Sequence, residues 1–463
     1  MTEVESGIGS HSGLGQVRIE CVREWAPVRP SPRVAEVAMK FGVAGPPAPR
    51  RVLDPLVLEL APGRIVAFVG PSGSGKSSAL AEIETQHAGG HNVQRVSLPP
   101  DRALVDCVSP HTTVADALTL LTACALGEAP LWLRRYDELS DGEKFRARLA
   151  KAVGLHARGR SAAPLLCDEF CSGLHRRAAK AIAHNLRKLV TRRGLCVVLA
   201  TGHDDLLGDL QADVTVRLLG AGRHQVVRRV PHRRPISLWR GLVIERGGKR
   251  DYHAFAAMHY RATDELGFVD KVFVLREKAR GERLGIVVYS YGPLELALRN
   301  QATGKRFCRN PALLNRELRI LRRLVIHPDV RGCGLGHRLV RKTLPLVGTR
   351  YVECLATMGE VNPVFERAGM RRTGLCPVPR EQTKAVEALK TLDVDPFAHD
   401  FELKVGRSPR VRSIVARLVW RWYRATTGGG EQRVTRQSPQ FLAQIFRSLV
   451  GSRPVYYLWD QEA

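Results

Sequence analysis

No stretch of this chain approaches the ~18 to 20 consecutive apolar residues that a bilayer-crossing helix needs, although 44% of its 463 residues are hydrophobic. Any membrane role therefore requires a partner. The first residues, MTEVESGIGSHSG, are polar with no apolar run behind them, which argues against a secretory signal. The ten cysteines include no CxxC pair and no regular framework, so they read as reduced thiols of a cytoplasmic protein. Cys167 and Cys171 bracket the stretch CDEFC, yet small buried hydrophobes are the simpler reading than metal ligands. Acidic residues are scarce as well: 45 Asp and Glu stand against 72 Lys and Arg, a formal net charge of +27. That charge divides as about +1 for residues 1–50, +6 for 51–230 and +20 for 231–463. A field so placed attracts polyanions to the second half, nucleic acid first and anionic membrane second. An arginine-rich composition that serves solubility alone is the alternative.

The length suits two or three domains. Residues 1–50 carry prolines at 27, 30, 32, 46, 47 and 49 and read as a Pro-rich N-terminal arm. Over residues 51–228, apolar strands (IVAFVG, PLLCDE, LCVVLATG) alternate with helical segments such as RRAAKAIAHNLRKLVTRRG. That pattern predicts an α/β fold with a parallel sheet covered on both faces. The basic, Pro-broken stretch RRVPHRRPISLWR marks a boundary. Residues 236–376 follow in α+β order with a mostly antiparallel sheet, and 377–463 read as a basic helical C-terminal extension. In PRVRSIVARLVWRWYRATT an apolar face separates from arginines, which fits docking on the preceding domain or a nucleic-acid or membrane face.

Residues 70–77, GPSGSGKS, fit GxxxxGK[ST] between a strand and a helix. Glycines there let amides converge on phosphate oxygens at a helix N-terminus. Gly70, Ser72, Gly73, Ser74, Gly75, Lys76, Ser77 and Ser78 are thus nucleotide-binding candidates, with Lys76 reaching the β/γ-phosphates and Ser77 binding Mg²⁺. Asp168, ending an apolar strand, completes the metal shell, and Glu169 polarises the attacking water. With LSDGEK at 139–144 and ATGHD at 200–204, the four motifs in this order resemble the ABC ATPase family over roughly residues 52–225. The resemblance implies ATP and Mg²⁺ as cofactors, His203 as the switch histidine, and a homodimer in which Ser140 and Gly142 face ATP held by the other subunit. Two positions depart from it: Gln86 and Gln94 come too early for the family's Q-loop glutamine, and His175 stands where the D-loop has Asp.

A second glycine loop follows the strand LRILRRLVIHP. Arg331, Gly332, Gly334 and Gly336 fit R-x-x-G-x-G, while His337 spoils a dinucleotide GxGxxG. A plain structural turn would use the same glycines. With YVECLA and NPVFERAGM downstream, residues 240–376 resemble the GNAT acyltransferases. The resemblance implies that acetyl-CoA or another acyl-CoA lies on amides 332–336 next to Val325, with Asn362 as a further contact. It implies a carboxylate base, for which Glu317 is the first candidate and Glu353 the second; an ordinary ion-paired glutamate is the alternative for each. Phe365 occupies the place of the usual tyrosine acid. Together the two halves resemble soluble bacterial and archaeal ABC-type ATPases fused to an acetyltransferase domain, with a distant analogy to phage Mom-type adenine-modifying enzymes. The expectation is an ATP-dependent switch coupled to N-acyl transfer on or near nucleic acid. Its rivals are an ATP-driven nucleic-acid clamp with a non-catalytic second half, and the nucleotide-binding subunit of a transporter, against which the missing Q-loop counts.

Overall fold

The computed structural model describes residues 14–24, 26, 28–43, 48–87, 89–159, 163–229, 241–259, 266–278, 280–427, 434, 436–451 and 453–462. The chain forms two compact units. The first comprises Met1–Glu265, Phe273–Ile286 and Leu324–Leu339; the second comprises Leu266–Val272, Val287–Arg323 and Val340–Ala463.

In the first unit, β1 (Gln16–Arg23) pairs antiparallel with β2 (Arg50–Glu59). A six-stranded sheet is built from β3 (Ile65–Val69), β4 (His91–Asn92), β5 (Leu165–Cys167), β6 (Val197–Thr201), β7 (Val214–Gly220) and β8 (Arg223–Arg228), in the order β4-β5-β6-β3-β7-β8. All its pairs are parallel except β7 with β8. Strands β3, β5 and β6 are buried at every position, as expected when both faces are covered. The alternation of side chains divides the core in two. Ile65, Ala67, Leu165, Cys167, Val197 and Leu199 join a cluster with helices Val114–Ala123, Asp141–Gly159 and Arg176–Arg193. Val66, Phe68, Leu166, Val198 and Ala200 join the opposite cluster with β1, β2 and helix Lys76–Gln86. The α/β expectation for this half is met.

The N-terminal arm needs correction. Val17, Ile19 and Cys21 alternate inward from β1 and are buried in that second cluster, so residues 16–23 belong to the ATPase fold. Only helix Pro32–Phe41, without a single buried residue, behaves as an arm.

The second sheet contains β9 (Leu242–Gly247), β10 (Val269–Glu277), β11 (Arg283–Ser290), β12 (Leu318–Ile326), β13 (Tyr351–Ala356), β14 (Arg371–Leu375) and β15 (Val455–Asp460), in the order β14-β15-β13-β12-β11-β10-β9. Strands β12 and β13 are parallel over Leu318–Leu321 and Tyr351–Cys354, joined through the glycine loop and helix Leu335–Thr343. Here too the reading of the C-terminus as a helical extension falls short. Helices Arg380–Lys390, Phe401–Arg407, Pro409–Thr427 and Pro439–Val450 do share a core of their own, with Leu389, Phe401, Val415, Leu442 and Phe446 at its centre. The chain then returns as β15, which pairs antiparallel with both β13 and β14. VYYLWD has the aromatic and β-branched composition of a buried strand, and all but its last two residues are buried.

The boundary expected near 228–236 is not where the two units divide: the first unit runs past the end of β8 to Glu265, and residues 230–240 lie outside those described. Segments 273–286 and 324–339, expected in the second domain, group with the first unit. The cause is the packing of the second glycine loop, described below.

Candidate functional site

Parallel strands bring their C-terminal ends to one edge, where open α/β sheets bind ligands. Val69 pairs with Thr201 and Cys167 with Leu199. The residues that follow, Gly70, Asp168 and Gly202, therefore open three loops on a single edge. Asp168 and Glu169 sit beside β6, where the Phe170 amide donates to Ala200 O at 2.7 Å. His203 follows β6, its amide donating to Thr201 Oγ1 at 3.2 Å.

The loop after β3 has the backbone that its glycines permit: Gly73 and Gly75 are left-handed, with φ of 75° and 97°. A Cβ on Gly75 would stand 2.5 Å from Val52 Cγ1. Lys76 folds back over the loop, its ammonium donating to Gly70 O at 2.8 Å and Pro71 O at 2.6 Å. Ser74 is 5% exposed, and its Oγ has no hydrogen-bond partner. A buried hydroxyl left without a partner is costly in an apolar site and natural in one that receives oxygen ligands. Ser77 and Ser78 lie in the first turn of helix Lys76–Gln86, whose amides continue the cradle. These residues fit a Mg²⁺-bound nucleoside triphosphate.

Asp168 is half-buried, and its Oδ1 accepts the Glu169 amide at 2.8 Å. Glu169 is exposed and left-handed, with φ of 44°. A non-glycine residue there marks a turn held by its surroundings. The structure also places a residue that spacing alone had set aside. Two-residue strand β4 pairs with Leu165 and Leu166, and Gln94 stands two residues beyond it. Its Oε1 accepts the Asp168 amide at 3.2 Å, and its Nε2 donates to Asp168 O. Gln94, set aside as too early in the sequence, thus lies against the backbone of Asp168.

In the 139–144 motif, Ser140 precedes helix Asp141–Gly159. Its amide and hydroxyl both donate to Glu143 Oε2, at 2.9 and 2.8 Å. Partial burial pushes the Glu143 carboxyl up, but those two bonds outweigh it and hold the group below the usual carboxylate range. Gly142 packs near Leu174, whose Cδ2 would lie 2.9 Å from an added Cβ.

The second loop has two left-handed glycines, Gly332 (φ 80°) and Gly334 (φ 83°), with Gly336 inside helix Leu335–Thr343. Among the described residues, the amides of Gly332, Cys333, Gly334 and Leu335 meet no backbone acceptor. Lys188 Nζ stands 3.4 Å from Gly332 O. Val325 is buried in the preceding strand. Arg331 is differently employed from the expectation. Its guanidinium donates to Ile326 O at 2.8 Å, Gly127 O at 2.7 Å and Met258 O at 2.7 Å, so it is a brace rather than a free ligand for a diphosphate. Cys333 is 1% exposed, and burial pushes its thiol up to about 12, which removes it as a nucleophile. The loop rests on the ATPase fold: a Cβ on Gly332 would meet Thr122 O at 2.8 Å and Asn185 Nδ2 at 2.9 Å.

The two carboxylates named as bases are both engaged elsewhere. Glu353 is fully buried, paired with Arg299 through bonds of 2.7 and 2.9 Å, and accepts Tyr456 OH at 2.9 Å. Glu317 accepts Arg306 Nε at 2.8 Å and Arg316 Nη2 at 3.1 Å. The Arg306 bond, ahead of the others, holds its carboxyl below the usual range, the wrong direction for a proton acceptor near neutral pH. In this geometry both carboxylates are engaged by arginines rather than free to accept a proton. Asn362 is exposed beside helix Val364–Arg367. Phe365 packs against Tyr457 with ring centroids 5.4 Å apart and planes tilted by 43°, and that phenol donates to Gly359 O at 3.2 Å.

No family model matches the chain. A lipoprotein-releasing system ATP-binding protein, LolD, of Granulibacter bethesdensis is 30% identical over 203 residues, 36% of this chain and 86% of its own length. A hemin import ATP-binding protein, HmuV, of Nocardia farcinica is 34% identical over 185 residues, 38% of this chain and 62% of its own length. A solved dimeric structure of a bacterial ABC transporter cassette aligns with 39% of this chain and 93% of its own, at 19% identity and a TM-score of 0.32. Through its first half, the chain belongs to the ATP-binding ABC ATPase family. Membership brings ATP and Mg²⁺ as cofactors to the loop edge described above. Among the described residues, no helix is long and apolar enough to cross a membrane.

Proposed function

We propose that the chain is an ABC ATPase that closes into a homodimer on ATP and thereby governs a second half built to hold an acyl-CoA. Glu169 would polarise the attacking water with His203 in support, and Ser77 with Asp168, which Gln94 holds in place, would hold Mg²⁺. In the dimer, Ser140 and Gly142 of one subunit face the triphosphate bound by the other. ATP bound in this way supplies the energy of closure and of its release.

The observation that carries the acyl-CoA reading is the run of amides from Gly332 to Leu335, directed by two left-handed glycines and opening a helix, which is how a backbone receives a diphosphate. The fitting chemistry is N-acyl transfer, in which an amine attacks the thioester carbonyl and the CoA thiol departs. The acceptor suggested by the +20 charge of residues 231–463 is an amine on nucleic acid or on a protein bound to it. Calorimetry with acetyl-CoA tests this: micromolar binding is expected, lost in Gly334→Glu while ATP binding by the same variant is retained. Absence of acetyl-CoA binding in the parent chain overturns it.

A second reading is favoured by the engagement of Glu317 and Glu353 and by Phe365. The second half would then be a binding module without acyl transfer, and the ATPase a clamp on nucleic acid. It predicts retained nucleic-acid binding with a steep salt slope and no acyl product when acetyl-CoA is supplied. With Gln94 beside Asp168, a membrane-spanning partner is again compatible with the first half.

The dimer reading makes a further prediction. Glu143 occupies Ser140 and places a negative charge where a partner's γ-phosphate would arrive. Glu143→Gln keeps an acceptor for the helix cap and removes that repulsion. ATP-dependent dimerisation should tighten about tenfold, the scale of one charge contact worth ~1.4 kcal/mol, measured by sedimentation across an ATP titration. A weakened dimer would place Glu143 on the attractive side of the interface.

A further inference from the structure

We propose that helix Arg176–Arg193 transmits nucleotide state from the ATP edge to the second glycine loop, with the adjacent residues Arg176 and Arg177 as its two hands. This rests on the ATP site alone and holds whether or not the second loop binds an acyl-CoA.

The helix begins directly after the turn that carries Glu169 and His175, so any movement of that turn reaches its first residues. Arg176 faces the ATP edge: its Nε donates to Asp205 Oδ2 at 3.2 Å, two residues beyond His203. Arg177 faces the other way. It pairs with Glu282 and, at 3.3 Å, with Asp329 Oδ2, two residues before the loop's Arg331. His175 Nδ1 stands 3.9 Å from the same Asp329 oxygen. Arg177 is only 13% exposed, which keeps its ion pairs from the full screening of surface contacts.

The contact continues down the helix on its loop-facing side. Cys333 Sγ lies 3.8 Å from Ala181 O. Asn185 Nδ2 donates to Ala123 O at 3.0 Å and reaches Arg331 O at 3.5 Å. Lys188 reaches Gly332 O. Residues 177, 181, 185 and 188 follow the i, i+4, i+3 spacing of one helical face. Close contact is built in from both sides: a Cβ on Gly127 would lie 2.9 Å from Arg331 Cδ, and one on Gly332 would strike Thr122 O. A loop so tightly fitted to one helix has no independent position; it moves when the helix moves. Shared contact alone is not coupling, so the coupling itself is what must be measured.

Amide hydrogen exchange on the full-length Glu169→Gln chain, with and without MgATP, provides that measurement. ATP should slow exchange at residues 70–78 and also change it at least threefold across residues 326–340. In Arg177→Met and in Asp329→Asn the response at 70–78 should persist while the response at 326–340 falls below a third of its parent value. Arg177→Lys should restore part of it. The proposal is overturned if residues 326–340 do not respond to ATP in the parent, or if their response survives in both variants. If residues 70–78 themselves fail to respond, ATP binding at the first loop has failed and the relay falls with it. Thermal melts identify a variant that does not fold, in which case the other variant decides.

Discussion

Glu169→Gln should lower ATP turnover at least ~100-fold, the usual scale for removing a general base, while nucleotide affinity stays within a few-fold of the parent. Glutamine keeps the size of the side chain and can remain in the left-handed turn at φ 44°, so the loop edge is preserved. What is lost is the basicity that polarises water. The neighbouring Asp168 is untouched, and its contact with Gln94 is kept. Phosphate release and equilibrium nucleotide binding, measured on one preparation, separate the two effects. Lys76→Ala gives the contrasting pattern: the ammonium that folds over the loop disappears, so binding itself should fail. Because hydrolysis opens the proposed dimer, Glu169→Gln should also persist as a dimer in MgATP. Turnover that survives the substitution would remove Glu169 as the base and shift attention to His203.

The comparison of these residues explains what could be read from sequence. The P-loop, Asp168 and His203 were legible because each follows an apolar strand-like run. Gln94 was hidden because a sequence spacing counts the residues between motifs, whereas the pairing of His91 and Asn92 with Leu165 and Leu166 decides which side chains meet. Residues 16–23 alternate correctly for a half-buried strand, but the surrounding prolines drew the reading toward an arm. Strand β15 was missed for a different reason: its partners lie about a hundred residues away, and no local pattern records a pairing of that range. The glycines of the second loop announced their left-handed backbone. Its neighbours did not, since Thr122 and Asn185 come from another part of the chain. The same limit applied to the two candidate bases, whose sequence positions fit but whose partners, Arg299 and Arg306, became visible only in three dimensions.

Those partners lead to the largest expected effect on stability. Glu353→Gln should destabilise the second unit by about 3–5 kcal/mol, the range for removing one member of a buried ion pair. Arg299 and Glu353 are both 0% exposed, and the guanidinium also donates to Leu294 O at 3.1 Å and Pro293 O at 2.8 Å. The pair thereby ties the 293–294 turn and helix Ala297–Ala302 to β13. With glutamine at 353, the Arg299 charge remains buried and loses its counter-charge, while Tyr456 loses a charged acceptor. Tyr456→Phe alone should cost less, about 1.5–3 kcal/mol for a hydrogen bond to a charged group. Arg299→Met combined with Glu353→Leu removes both charges and should recover much of the loss, since the penalty lies in the unpaired charge rather than in the absence of the pair. Urea unfolding followed by tryptophan fluorescence, to which Trp459 on the strand beside Val352 contributes, measures all four proteins. An unchanged midpoint in Glu353→Gln, together with loss of acyl transfer, would return Glu353 to a catalytic role; a large shift with the double substitution recovering it fixes the residue as a buried tie that holds the fold.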